Sequence, residues 1–154
     1  MRHTLADSAR KTSVALLNES TTELIDLSIQ AKLAHWNVRG PHFLSYHQLF
    51  DQIVDHAREG SDLTAERVAA LGAQAGLPIQ KMATTTSLPQ WPMELHHDHD
   101  VLSALADRVA LVTNHMRQRI DKAAEANDAN TADLFTEVSR QLDQDLWMLE
   151  AHEQ

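Results

Sequence analysis

Long stretches of this chain carry apolar residues at intervals of three and four positions, with few interruptions. The clearest example consists of Phe135, Val138, Leu142, Leu146 and Leu149. This spacing places the residues on one face of an α-helix. The chain has four glycines and four prolines in 154 residues, and three of the prolines lie within residues 76–92. Because glycine and proline mark turns, their scarcity favours long helices and predicts an all-α protein.

Turn signals divide the chain into four predicted helices, which span about residues 13–36, 43–71, 94–126 and 131–149. The segment 76–92 is a long connection, which we expect to contain a short helical turn. Asn130 is the candidate N-cap of helix four. A short loop, a long crossover and a second short loop are typical of a four-helix bundle with one crossover. We predict one domain at residues 13–154, preceded by a short flexible tail at residues 1–12.

The charge balance favours cations as binding partners. The chain has 13 lysines and arginines against 22 aspartates and glutamates, a formal net charge of −9. An acidic surface repels phosphate and attracts metal ions. The sequence contains no cysteine, which excludes disulfides and thiolate metal sites. No apolar run approaches the roughly 20 residues that cross a bilayer, so we expect a cytoplasmic protein without membrane contact.

Helix two carries a stripe of side chains that are suited to metal binding. His47 and Asp51 are four residues apart, and so are Asp62 and Glu66. These four positions fall within about 100° of arc around the helix. His35, near the end of helix one, adds a second imidazole, and imidazole with carboxylate suits iron, zinc or manganese. A solvated helix face also contains such polar pairs, and spacing alone leaves both interpretations open.

One chain cannot close a metal site from this stripe. At about 1.5 Å per residue, Asp51 and Asp62 are about 16 Å apart along the helix, too far to share one dinuclear centre. A hairpin at Gly40-Pro41 brings His35 level with His47. We call His35, His47 and Asp51 the histidine half, and Asp62 with Glu66 the carboxylate half. A two-fold axis that sets two such helices antiparallel brings unlike halves together, which predicts a site between subunits.

The stripe belongs to a longer pattern that carries a family resemblance. From Ala34 to Gly72 the chain contains, without a gap, His35-Trp36-Asn37-Val38-Arg39-Gly40, then Phe43, His47, Asp51, Asp62-Leu-Thr-Ala-Glu66-Arg67 and Leu71-Gly72. This pattern resembles the signature of the Dps family, the ferritin-like DNA-binding proteins from starved cells, also called mini-ferritins. The segments Thr131-Ala-Asp-Leu and Leu146-Trp-Met-Leu-Glu150 are similar to the family's last helix. The resemblance implies a ferritin-like four-helix bundle.

The same resemblance implies a function. Dps proteins are hollow shells of twelve subunits that bind Fe²⁺, oxidise it preferentially with hydrogen peroxide and store ferric mineral, which protects DNA from oxidative damage. The family's ligands correspond to the histidine half on one subunit and the carboxylate half on its two-fold partner. Two iron ions share each such ferroxidase centre, and zinc and manganese are alternative occupants.

Two aromatic residues, Trp36 and Tyr46, each adjoin a histidine of the stripe. Either ring is a candidate to intercept an oxidising equivalent that leaves the iron, and Trp36 is the stronger candidate. Packing against the site is the commoner role of such rings. Trp91 and Trp147 are interpreted as structural.

Two further polar clusters have alternative interpretations. The resemblance implies an acidic three-fold pore around the turn between helices three and four, with candidates Asp121, Glu125, Asp128 and Asp133. Capping of the helix ends explains these residues equally well. The segment His96-His97-Asp98-His99-Asp100 is interpreted as a polar first turn of helix three rather than as a second metal site.

The main alternative function is that of a nucleoid-associated protein that coats DNA and has little ferroxidase activity. The tail carries Arg2, Arg10 and Lys11, whereas residues 141–154 contain four acidic residues and no lysine or arginine. Because affinity for DNA depends on the phosphates that are neutralised, we expect weak or absent DNA binding near neutral pH. A hydrolase with a metal-activated water is a third possibility, although the chain lacks a nucleophile elbow, a glycine-rich phosphate loop and a zinc-protease motif.

Overall fold

The computed structural model describes residues 2–153, and its helices are α1 (Asp7–Asn37), α2 (Phe43–Ala70), α3 (Ile79–Thr85), α4 (Asp98–Glu125) and α5 (Ala129–Glu150). The long helices form a bundle in which α1 packs against α2 and α4 packs against α5. The described residues contain no β-strand, and no helix among them has the length and apolar character of a membrane span. The predicted all-α bundle, with a short helix in its one crossover, is confirmed. Met1 and Gln154, which fall in the predicted tail and domain, lie outside the described residues.

The core is built from the apolar faces of all four long helices. Each of them contributes fully buried side chains, among them Leu24, Phe50, Leu105 and Phe135. At Gly60 in α2, an added Cβ would lie 3.4 Å from side-chain carbons of Leu24 and Val138. Glycine in a helix costs about 1 kcal/mol relative to alanine. Because α1 and α5 pack closely around this position, α2 continues through it without a break.

The first helix begins at Asp7, before the predicted start of the domain. Ser13 is buried and donates a hydrogen bond of 2.7 Å to Asp128, next to the start of α5. The guanidinium of Arg10 lies 3.5 Å from a carbonyl oxygen at the end of α2. These contacts stabilise the first turns of α1, so residues 7–12 belong to the bundle and not to the predicted tail.

Two other helix starts differ from the prediction. Helix α4, which corresponds to the predicted third helix, starts at Asp98 rather than at about residue 94. The backbone N–H of Asp98 donates to the carbonyl of Arg39 at 2.8 Å instead of to a preceding helical turn. This bond directs the preceding segment toward the α1–α2 turn. The N-cap of α5 is Asp128 and not Asn130, since the Asp128 carboxylate accepts the backbone N–H of Thr131 at 3.2 Å.

The crossover packs against α1 and is hydrogen-bonded to it. The side chain of Gln30 donates a hydrogen bond of 3.0 Å to the carbonyl of Pro89. Trp91 is buried, and the guanidinium of Arg108 lies 5.3 Å from the centroid of its ring, which confirms a structural role. Trp147, by contrast, is 61% exposed and does not belong to the core of the subunit.

Candidate metal centre

The histidine half lies where α1 ends and α2 begins. The rings of His35 and His47 are stacked, with their centroids 3.6 Å apart and their planes inclined by 20°. His35 Nδ1 lies 2.6 Å from the His47 carbonyl oxygen, and His47 Nδ1 lies 2.8 Å from the His35 carbonyl oxygen. Because a carbonyl oxygen only accepts hydrogen bonds, each Nδ1 carries a proton and donates it. With Nδ1 used in this way, Nε2 is the ring nitrogen left to bind a metal.

Asp51 lies one turn after His47 and is paired with a lysine. The ammonium group of Lys32 donates a hydrogen bond of 2.5 Å to Asp51 Oδ1. Chiefly this hydrogen bond lowers the pKa of the Asp51 carboxyl below its ordinary value, which keeps the group ionised. Sequence reasoning missed Lys32, although its position three residues before His35 puts both side chains on one face of α1.

The carboxylate half stands apart from the histidine half. Asp62 and Glu66 lie on successive turns of α2, and both are exposed. Since α2 is continuous, the separation of about 16 Å from Asp51 holds. Within residues 2–153, no three histidine, aspartate or glutamate side chains are placed to hold a metal ion together. A centre that uses both halves therefore needs a second copy of the chain.

Both the sequence and the fold match known proteins. A family model of the ferritin-like domain matches residues 14–154. The DNA protection during starvation protein of Agrobacterium fabrum is 42% identical over 153 residues, which cover 99% of this chain and 94% of that protein. The chain belongs to the Dps family.

Solved structures agree with this assignment to the Dps family. Dps from Microbacterium arborescens in the high iron form aligns with a TM-score of 0.90 at 30% identity, over 97% of each chain. DpsC from Streptomyces coelicolor aligns with a TM-score of 0.92 at 28% identity, over 97% of this chain and 88% of that chain. The ferritin-like fold and the family predicted from the pattern at residues 34–72 are thus confirmed.

The two aromatic residues beside the histidines of this Dps-family chain differ in exposure. Trp36 is 65% exposed at the end of α1. Tyr46 is buried, with its ring centroid 5.4 Å from that of His42 and 5.9 Å from that of Phe50. Burial raises the pKa of the Tyr46 hydroxyl above its ordinary value. Tyr46 therefore packs within the subunit, while a redox role for Trp36 stays a prediction.

The acidic residues of the predicted Dps pore fall into two groups. The exposed members are Asp121, Glu125 and Asp133. Asp128 differs, because it is 2% exposed and its carboxylate accepts hydrogen bonds from Ser13, Thr131 and Arg67. Its carboxylate is occupied inside the subunit as the cap of α5, which favours the capping interpretation of Asp128 over the pore interpretation.

The polar cluster at residues 96–100 forms the first turn of α4 and the two residues before it. Its two carboxylates have different surroundings, since Asp98 is buried and Asp100 is exposed. The interpretation as a polar first turn is confirmed. The buried Asp98 carboxylate gives this first turn of α4 a contact with the turn between α1 and α2, through His42. Sequence reasoning missed this contact, because no local pattern marks it.

Proposed function

We propose that this protein is a ferroxidase that oxidises Fe²⁺ at centres shared between subunits and stores the ferric product inside a homo-oligomeric shell, in the cytoplasm. The observation that carries the proposal is the stacked pair of His35 and His47, in which both Nδ1 atoms are used by carbonyl oxygens. The same chain carries an exposed pair of carboxylates, Asp62 and Glu66, about three turns further along α2, and within residues 2–153 no third ligand is placed to complete a metal site with them. Relatives supply the context, since one solved Dps is a high iron form.

Iron is the substrate of this chemistry, and each residue type has a distinct task. The imidazoles supply neutral nitrogen ligands, while Asp51, Asp62 and Glu66 supply negative charge for Fe²⁺ and for the Fe³⁺ that forms. Lys32 holds Asp51 when no metal is bound, so a metal that uses this oxygen must displace the ammonium. Zn²⁺ and Mn²⁺ fit the same donors and are alternative occupants.

The electron balance favours hydrogen peroxide as the oxidant for a pair of iron ions. Each of two Fe²⁺ ions gives up one electron, the O–O bond accepts both, and two protons complete two molecules of water. No hydroxyl radical is released when both electrons arrive together. This reaction would protect DNA by removing Fe²⁺ and peroxide, which agrees with the name of the Agrobacterium fabrum relative, a DNA protection during starvation protein.

A second copy of the chain has a surface on which to bind. A groove of about 480 Å³ lies between α1 and the crossover, and it is lined mainly by apolar side chains. Ile29, Ile79 and Met93 on this groove are 45%, 60% and 55% exposed. Exposed apolar surface of this kind marks an interface. Because Ile29 lies seven residues before Trp36, the groove and the exposed ring of Trp36 share a face of α1.

The proposed assembly is a shell of twelve subunits with a centre at each two-fold interface. The net charge of −9 on each chain gives such a shell a field that attracts Fe²⁺. The exposed carboxylates of Asp121 and Asp133 are the candidates for lining an entry pore.

The test is stopped-flow measurement of anaerobic Fe²⁺ oxidation by hydrogen peroxide on assembled protein. Asp62→Ala/Glu66→Ala and His47→Ala should both fall to the protein-free rate. The matched control is Asp55→Ala/Glu59→Ala, which removes two exposed carboxylates with the same spacing from the same helix. Wild-type activity in the first double variant would refute the proposal.

Co-assembly of the two inactive variants tests whether the centre is shared. A dimer of one His47→Ala chain and one Asp62→Ala/Glu66→Ala chain contains one centre with both halves intact and one with both damaged. Random mixing makes half of the dimers mixed, so about one quarter of the wild-type activity should return. A centre built within one chain would give no recovery.

A further inference from the structure

The turn that joins the two histidine-bearing helices is bonded to the start of α4. The backbone N–H of Arg39 donates to the carbonyl of His96 at 2.8 Å, and the backbone N–H of Asp98 donates to the carbonyl of Arg39 at 2.8 Å. These bonds form an isolated parallel β-bridge between Arg39 and His97. The path of the turn is therefore set by α4 as well as by α1 and α2.

The carboxylate of Asp98 makes the second connection to this turn. It is 2% exposed, and one of its oxygens accepts the backbone N–H of His42 at 2.9 Å and the His42 Nδ1–H at 3.0 Å. Its other oxygen accepts the backbone N–H of His99 at 2.9 Å. Every one of these partners is a donor, and the hydrogen bond from the His42 backbone is the main cause that lowers the pKa of Asp98.

Gly40 lets the turn approach the carboxylate closely. Its φ is +139°, and a Cβ on this residue would lie 2.6 Å from Asp98 Cγ. No side chain fits that gap, so the backbone of the turn passes directly against the carboxylate. Asp98 thus contacts the turn at both residue 40 and residue 42.

The histidine pair depends on where this turn places the two helices. Each ring is oriented by a hydrogen bond to the backbone carbonyl of the other helix, at 2.6 and 2.8 Å. Because the two bonds run reciprocally between the helices, the position of α2 along α1 sets the length of both bonds and the direction of both Nε2 atoms. We propose that Asp98 is a positioning residue for the metal centre, which holds the α1–α2 turn so that His35 and His47 present their Nε2 atoms together. This role rests on the proposed function of the histidine half.

The experiment compares Asp98→Asn with Asp100→Asn in an anaerobic Co²⁺ titration of the assembled protein, followed by the d–d absorption of bound Co²⁺. Both variants remove one negative charge from the first turn of α4, but Asp100 is exposed. Asparagine at position 98 must point its NH₂ group at a donor, because both oxygens of Asp98 accept hydrogen bonds. We expect Co²⁺ affinity about tenfold weaker and an altered spectrum in Asp98→Asn, in the range for outer partners of metal ligands. Asp100→Asn should match wild type.

Equal affinity and spectrum in Asp98→Asn and wild type would overturn the proposal, and so would an equal loss in both variants. His47→Ala separates this outcome from failure of the centre itself. If His47→Ala also binds Co²⁺ normally, the proposed function fails. If it loses Co²⁺ while Asp98→Asn does not, the positioning role alone fails. Circular dichroism and size-exclusion chromatography check folding and assembly.

If Asp98→Asn does not assemble, the Co²⁺ affinity of His42→Ala tests the positioning role of Asp98 instead. Its side chain is 63% exposed, so the substitution removes the imidazole contact to Asp98 with little effect on packing. A smaller loss of Co²⁺ affinity, in the same direction, supports the positioning role. An unchanged affinity overturns it.

Discussion

Replacing Asp128 by alanine removes a carboxylate that joins three helices. Asp128 accepts hydrogen bonds from Ser13 on α1 at 2.7 Å and from Arg67 on α2 at 3.1 Å. It also accepts the hydroxyl of Thr131 at 2.6 Å and the backbone N–H of the same residue at 3.2 Å. Only 2% of the surface of Asp128 is exposed, so these hydrogen bonds are shielded from solvent in the intact fold.

The contacts of Asp128 set the expected magnitude. Loss of the α5 cap costs about 1 kcal/mol, and loss of a hydrogen bond to a charged group costs about 1.5–3 kcal/mol. Arg67, whose side chain is 21% exposed, is then left without its carboxylate. We expect Asp128→Ala to lower the free energy of unfolding by about 3–5 kcal/mol. Asp128→Asn keeps an acceptor for the cap, so its loss should be smaller.

The assay is urea unfolding followed by far-UV circular dichroism, at one fixed protein concentration because assembly shifts apparent stability. The matched control is Asp133→Ala, an exposed aspartate on the same helix, which should change stability by less than about 0.5 kcal/mol. If Asp128→Ala and Asp133→Ala unfold within about 1 kcal/mol of each other, the reasoning about the buried carboxylate is refuted.

The pH dependence of the free energy of unfolding, compared between wild type and Asp128→Ala, gives a second check. Burial by itself raises the pKa of Asp128, but hydrogen bonds from Thr131 and Ser13 and the charge of Arg67 outweigh it, so the pKa is lowered. A carboxyl with a lowered pKa stabilises the fold above its unfolded pKa and loses that contribution as pH falls through its folded pKa. The difference between wild type and Asp128→Ala should therefore shrink as pH falls below 3.8.

Three further predictions follow from other contacts. Asp145 is 4% exposed, and burial raises its pKa despite the imidazole of His56 at 2.8 Å, so ionising it at neutral pH costs stability. Asp145→Asn should be more stable than wild type at neutral pH in urea unfolding, and this gain should vanish below pH 3.8; a loss at neutral pH would contradict the reasoning. Lys32→Met removes the ammonium that competes for Asp51, so a Co²⁺ titration should show affinity roughly fivefold higher, from a pair worth about 1 kcal/mol; an unchanged affinity would count against competition. Since α1 takes up residues 7–12, little basic tail remains, and gel shifts should show no DNA complex at physiological salt. A complex retained at that salt would favour the DNA-coating function.

Much of the architecture follows from local pattern. Apolar residues at intervals of three and four predicted each long helix, and the prolines within residues 76–92 predicted the crossover and its short helix. The stripe from His47 to Glu66 and the rise of a helix were enough to predict that one chain cannot close the centre. These inferences succeed because helix geometry is set by hydrogen bonds between residues four apart, so spacing in sequence maps directly onto position along the helix.

The tertiary structure decided which polar groups are buried together. Asp98 and His42 are 56 residues apart, and Asp128 and Ser13 are 115 residues apart. In the sequence, Asp98 and Asp100 are indistinguishable, as are Asp128 and Asp133, yet one of each pair is buried and engaged while the other is exposed. Burial of a charge depends on the donors that distant helices bring to it. Sequence periodicity determines the face on which a residue lies, and only the packing of helices against each other determines what that face meets.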